Sequence, residues 1–282
     1  MTHLFILLPF IVLVIINLLD RRARDAWGFI LTFLIFVIQL GLVFWQGLAS
    51  PNLNWDFILK FNLVIDPLSL MLLFSVGLVG LAALMVGHFT IATSHERFNF
   101  KNLLLVSLVG INVLAMVRDV FSLYVFIEIT AIATFILITL YKDKPALEGA
   151  LKYLILSVVA STLMLTSIAV FLMLAGDLSF VSLAAAPHNH LWQIALLLFI
   201  SGLCIKGGLV PFHGWLPDAY TAAPACVSVF LAGIVTKASG IFVLIRLVTA
   251  LGGLTPAVQS ILLLFGTLSI VIGALAARRR KI

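Results

Sequence analysis

The sequence predicts an all-α polytopic membrane protein, and three observations carry that reading. Of its 282 residues, 63% are hydrophobic and only 10% are charged, with a mean hydropathy of +1.25; soluble domains carry about 25% charged residues. The apolar residues gather into runs long enough to cross a bilayer, which takes about 20 residues of helix. The charges fall mainly between those runs. A net charge of +6 would suggest nucleic acid in a soluble chain. Here the basic residues cluster in short loops on one side of the membrane, so the expected surroundings are the lipid bilayer and no nucleic acid.

Nine segments follow in order, at 3–19, 26–48, 67–92, 101–117, 120–141, 146–175, 190–210, 222–248 and 257–277. The first is followed, not preceded, by basic residues and shows no small-residue cleavage site, so it reads as a retained helix instead of a signal peptide. Asp66-Pro67 and Thr255-Pro256 each place a capping side chain before a proline at the first helical position, and Pro145 opens the sixth segment in the same way. The fourth and fifth segments meet at Arg118-Asp119, which leaves room only for an antiparallel pair.

The loops set the orientation. With the N-terminus outside, the inner connections and tail hold Arg21, Arg22, Arg24, Arg97, Lys101, Lys142, Lys144, Arg278, Arg279, Arg280 and Lys281. The outer loops and helix ends hold only Lys60, Arg118 and Arg246. This asymmetry predicts N-terminus out and C-terminus in. A multi-pass protein of the cell (inner) membrane is expected.

Three basic residues remain within spanning segments: Lys152, Lys206 and Lys237, with Glu128 as the matching acid. At about 1.5 Å per helical residue, Glu128 lies roughly 12–14 Å below the outer end of its helix and Lys237 about 20 Å in from the other side. Lys206 is comparably deep, and Lys152 lies about two turns from the inner surface, where it can also snorkel. Each central charge costs about 2.5–3.5 kcal/mol on insertion scales. A static ion pair that only fixes helix packing is one reading of these residues. Three amines cannot all be neutralised by one carboxylate, which favours a titrating chain. In low dielectric an isolated ammonium is disfavoured and a carboxylate beside it restores it, so moving the acid loads or unloads a proton.

Lys206 and Lys237 bracket the stretch KGGLVPFHGWLPDAYTAAPACVSVFLAGIVTK. Pro211, Pro217 and Pro224 there exclude a continuous helix. In lipid such a break survives only when it is buried in protein or lines a wet cavity. His213, inside the break, is a candidate proton relay near neutral pH. His88 at the inner end of the third segment needs no function, Asp177, His188 and His190 read as solvated, and Asp218 reads as a cap for the helix that follows. Cys204 and Cys226 have no metal-ligand spacing and read as small buried hydrophobes. No flavin, haem, quinone or iron–sulfur motif is visible, so no cofactor and no metal are expected.

The block from Lys206 onward, KGGLVPFHGWLPDA, followed by APACVSVFLAGIVTKASGIF, resembles the proton-translocating antiporter-like family. That family comprises the large membrane subunits of respiratory complex I, the Mrp sodium/proton antiporters and membrane-bound hydrogenases. VIDPLSLMLLF at 64–74, the acid of FIEI at Glu128 and ALKYLILS at 150–157 are similar to its motifs, in its order. The resemblance implies a glutamate on the fifth helix (Glu128) paired with a lysine on the broken seventh (Lys206), a relay lysine on the eighth (Lys237) and a further lysine on the sixth (Lys152). It also implies three N-terminal helices over 1–100, a first five-helix repeat (helices 4 to 8) over 101–250 and the first helix of an incomplete second repeat over 251–282. A fragment of a longer subunit, or a half-subunit completed by another polypeptide, is then expected, with the proton exit elsewhere.

The function expected is that of a proton-translocating subunit, with sodium exchange left open, among other membrane subunits of a quinone-oxidoreductase, hydrogenase or antiporter complex. Any redox chemistry would belong to those partners. Two rivals stand beside it: a non-conducting scaffold of a membrane arm, and a stand-alone transporter of an organic solute.

Overall fold

The computed structural model describes residues 2–20, 24–48, 63–251, 253 and 256–279. Of the residues invoked above for orientation and capping, Arg21, Arg22, Lys60, Thr255, Arg280 and Lys281 lie outside the described residues. Among the described residues the chain is all helical. There is no β-strand, only isolated bridges between Leu63 and Val117 and between Asp119 and Ser179. Among the described residues, seven helices are long and apolar enough to cross a membrane; Leu4–Leu18 and His190–Lys206 are shorter apolar helices.

Six helix starts among the described residues follow from a capping side chain. The helices α1 (Leu4–Leu18) and α2 (Arg24–Leu48) are followed by α3 (Pro67–Thr90), where Asp66 Oδ1 accepts from the Ser69 amide at 2.7 Å and Pro67 holds the first helical position. An N-cap of this kind satisfies one of the amides that a helix start leaves without a partner. Helix α4 (Ser94–Met116) begins seven residues before the expected start at 101, because Thr93 caps it through the Glu96 amide at 3.2 Å. Lys101 is therefore a buried helical residue and not part of an inner loop. Helix α5 (Val120–Ile138) is capped by Asp119, and α6 (Lys144–Ala175) by Asp143, which precedes Lys144 and Pro145. The short α7 (Phe180–Ala185) is capped by Ser179, and α8 (His190–Lys206) by Asn189.

The break comes where the sequence placed it, but for a different reason. Gly208 takes φ +67° at the end of α8. The Gly208 amide bonds Ile205 O at 3.1 Å and the Leu209 amide bonds Cys204 O at 3.0 Å, which is the bond pair of a Schellman cap. The helix is thus stopped by glycine chemistry immediately after Lys206, before the first proline. A 3₁₀ turn (Phe212–Gly214) and α9 (Trp215–Ala222) follow. The next span, Ala225–Ala250, is continuous but not regular. Its ends α10 (Ala225–Phe230) and α11 (Val243–Ala250) are joined by π-helical turns at Leu231–Val235 and Lys237–Phe242. Wide turns of this kind concentrate at functional sites.

Helix α4 is the centre of the N-terminal bundle, packed against α1, α2, α3 and α5. Two buried amides knit that bundle together. Gln39 and Asn112 exchange reciprocal hydrogen bonds at 3.0 Å; Asn112 also donates to Phe5 O at 2.8 Å and Gln39 to Leu73 O at 3.0 Å. Asn112→Leu strands the Gln39 amide among apolar side chains. The expected loss is about 1–3 kcal/mol, read as a lower unfolding temperature in detergent; an unchanged temperature would show that water fills the gap. Last in the chain, α12 (Pro256–Arg279) buries little, with Leu263, Leu264, Ile270, Val271 and Leu275 all exposed. It meets the break through Ser269, whose hydroxyl accepts from the Val210 amide at 3.1 Å, and through Phe265 against Phe212.

Candidate functional site

The break delivers Lys206 to the middle of the bundle. As the last residue of α8, its ammonium donates to Glu128 Oε1 on α5 at 2.8 Å and to Ser157 Oγ on α6 at 2.6 Å. The Lys206 side chain is 2% exposed and that of Glu128 26%. One turn further along α6, Ser161 Oγ lies 2.6 Å from the same Glu128 oxygen and 2.7 Å from the Ser157 carbonyl. Three helices therefore converge on one ion pair and two hydroxyls. An ammonium, a carboxylate and hydroxyls in contact, largely removed from water, can hold and pass protons.

Glycine makes this convergence possible. A methyl group on Gly240, in the π-helical turn that begins at Lys237, would lie 2.4 Å from Gly207 Cα and 2.7 Å from its nitrogen. The backbone beside Lys206 is thus in direct contact with the backbone of the neighbouring span.

The other expected residues are placed differently. Lys152 is exposed and pairs with Asp218 Oδ2 at 2.6 Å and Glu148 Oε1 at 2.7 Å. It lines an open cleft of about 180 Å³ with Gly149 and Thr221. Its four-carbon stem lets the charge reach a polar surface, so it is not a buried lysine. Asp218 sits in the first turn of α9 and pairs with Lys152; α10 begins at Ala225, after Pro224, with no side-chain cap, so Asp218 does not cap it. Lys237 is also exposed in this chain, bonded to Ala232 O of its own helix and, at 3.3 Å, to Thr236 Oγ1. Thr236 in turn meets the Tyr220 hydroxyl at 3.3 Å. No bond between Lys237 and the Lys206 cluster is found among the described residues. His213 is half-buried on the 3₁₀ turn, and its Nδ1 is buried without a hydrogen-bond partner. His88 packs against Phe29 with ring centroids 4.2 Å apart, and His188 stacks on Trp192 at 4.0 Å. Cys204 and Cys226 are both free and buried.

A second charged cluster was not legible in the sequence. Arg246, read there as an outer helix end, is 2% exposed and donates to Asp66, to Ser69 Oγ at 2.7 Å and to Ala115 O at 2.7 Å. Arg118 adds a contact to Asp66 Oδ2 at 2.9 Å. One carboxylate thus ties α3, the α4–α5 turn and α11 together. Burial acts to raise the proton affinity of Asp66, but hydrogen bonds from Arg246 and Ser69 override it and hold the carboxyl well below the usual carboxylate range. Asp66 therefore contributes its full stability above the usual carboxylate range, and the contribution is lost progressively as the pH falls from that range through its depressed value. A comparable cluster at the other end joins Asp25 to Arg97 at 2.7 Å and to Lys101 at 3.1 Å. The only signals in the sequence were the acids themselves, Asp66 and Asp25, each far in the chain from its partners.

Comparison with known proteins agrees with this architecture. Residues 117–281 match the family model described as NADH:quinone oxidoreductase/Mrp antiporter, transmembrane. A Na(+)/H(+) antiporter subunit of Alkalihalophilus pseudofirmus is 29% identical over 96% of this chain and 57% of its own length. An NADH-quinone oxidoreductase subunit of Desulforudis audaxviator is 31% identical over 91% of this chain and 54% of its own. A chain of the membrane-bound sulfane sulfur reductase, an archaeal respiratory membrane complex, superposes with a TM-score of 0.88 at 26% identity, covering 99% of this chain and 60% of that one. The chain spans about half the length of the curated relatives it matches. With more than half of its residues matched by the family model, the chain is a multi-span membrane protein belonging to the NADH:quinone oxidoreductase/Mrp antiporter transmembrane family.

Proposed function

We propose that this chain is a proton-translocating subunit of a multisubunit complex in the inner cell membrane, with nine crossings, the N-terminus outside and the C-terminus inside. The observation that carries the reading is the buried contact between Lys206 and Glu128 at the end of a broken helix. Ionisable residues that face the interior of a membrane bundle are rare and mark ion pathways and proton relays. Similarity to antiporter and quinone-oxidoreductase subunits supports the same role. Lys206 is the switching proton site and Glu128 its modulating partner. A change transmitted from a neighbouring subunit moves the carboxylate against the amine, which loads or unloads its proton. Residues 101–250 form the five-helix unit that houses this pair. Lys152 with Asp218 marks the inner opening, and Lys237, exposed on this chain, hands protons towards the exit, with His213 a further relay beside the break. The neighbouring subunits supply any redox chemistry, and sodium is the alternative ion.

Lys206→Ala, introduced into the complex in its native membranes, is expected to abolish proton pumping while the complex still assembles. Pumping is read by a pH-sensitive dye in inverted vesicles. Glu128→Gln is expected to reduce pumping less completely. Near-normal pumping by Lys206→Ala would overturn the proposal and favour a non-conducting scaffold.

A further inference from the structure

The Ser161 hydroxyl has one proton and two acceptors in reach: Glu128 Oε1 at 2.6 Å and the Ser157 carbonyl, one turn back on α6, at 2.7 Å. A hydroxyl rotor turns to whichever acceptor needs it. Glu128 Oε1 already receives the Lys206 ammonium at 2.8 Å, so with the pair closed the Ser161 proton is free to back-bond to Ser157 O, as serines in helices commonly do. When the ammonium leaves, the carboxylate loses its strongest donor in a site where a bare charge is costly. Ser161 is then placed to replace it with a charge-assisted hydrogen bond, about twice as strong as a neutral one. At the other end of the pair, the Lys206 amine keeps Ser157 Oγ at 2.6 Å. Both partners thus retain a hydrogen bond when they part.

We propose that Ser161 is a positioning residue of the Glu128–Lys206 switch, a hydroxyl that swings from the Ser157 carbonyl to the Glu128 carboxylate and so stabilises the parted state. The inference rests on the proposed role of the ion pair and adds what stabilises it when open. Without the hydroxyl the closed pair persists, because its main bond does not involve Ser161, while the parted state loses a bond to a charged group. Such a bond contributes about 1.5–3 kcal/mol, so the parted state becomes at least about tenfold less populated.

Ser161→Ala and Ser161→Thr are compared with Lys206→Ala in the assembled complex, in native membranes. Pumping by Ser161→Ala is expected to fall about tenfold, and Ser161→Thr, which restores the hydroxyl, is expected to recover to within about threefold of the original rate. In infrared spectra, the Glu128 carboxylate stretch, assigned by its loss in Glu128→Gln, is expected to shift in a Lys206→Ala/Ser161→Ala double variant relative to Lys206→Ala alone. An unshifted band would overturn the inference, and that readout does not depend on pumping. Wild-type pumping by Ser161→Ala, beside a dead Lys206→Ala, would overturn the inference alone. Equal losses in Ser161→Ala and Ser161→Thr would reduce Ser161 to packing. Normal pumping by Lys206→Ala would instead remove the reading on which the inference rests. If Ser161→Ala does not assemble, Ser161→Cys, with a weak donor of similar shape, takes its place under the same criteria.

Discussion

Asp66→Ala is expected to lower the unfolding temperature of the detergent-solubilised chain by on the order of 10 °C. The change removes an N-cap from α3 and the shared partner of Arg118 and Arg246. Arg246 suffers most, its side chain being only 2% exposed. Removing one partner of a buried pair costs about 3–5 kcal/mol, because the surviving charge stays buried and uncompensated. For a chain of this size that corresponds to a midpoint shift of roughly 6–20 °C. The double variant Asp66→Ala/Arg246→Met is expected to regain much of the loss, since replacing a buried pair by apolar groups is often neutral. If the single variant melted within a degree or two of the original, the cluster would be a solvated surface feature and its burial misjudged.

Gly240→Ala is expected to reduce pumping by about a hundredfold without preventing assembly. The added methyl would meet backbone atoms of Gly207 at 2.4 and 2.7 Å and Leu203 O at 3.2 Å. Backbone cannot rotate aside as a side chain can, so the two helices must separate. Overpacking of this kind costs about 1–3 kcal/mol, which a folded bundle can absorb. The functional loss is larger because Lys206 is the residue next to Gly207, and about 1 Å of misplacement at a reacting group can cost a hundredfold. Gly266→Ala is the matched control, as nothing lies within 4 Å of the methyl it introduces. Equal pumping rates in the two variants would show that the contact between Gly207 and Gly240 does not position the amine.

How much of this was readable from the sequence depends on what each residue signals. Glu128 and Lys206 were legible together because opposite charges inside apolar runs have few places to go but each other. The break was legible too, although the prolines drew the eye and Gly207-Gly208 supplied the stop. Ser157 and Ser161 were not, since serine is common in spanning helices and its hydroxyl is usually satisfied by its own backbone. Lys237 was expected to be buried and is exposed on this chain, because a helix that is apolar on every side gives no periodicity to separate the bundle face from the outer one. Arg246 was misread for the opposite reason: counting basic residues along the chain cannot tell an outer loop from a buried guanidinium whose acid lies 180 residues away. The start of α4 was missed despite a legible signal, as Thr93 and Glu96 have the spacing of a capping box.

The reciprocal amides Gln39 and Asn112 carry one further consequence. Their donors and acceptors are matched to each other and to main-chain groups on α1 and α3, so all four N-terminal helices share one lock. Sliding α4 by a helical turn, about 5.4 Å, would break the three bonds that Asn112 makes to Gln39 and Phe5 O at once. These bonds fix the register of α1 to α4 against one another.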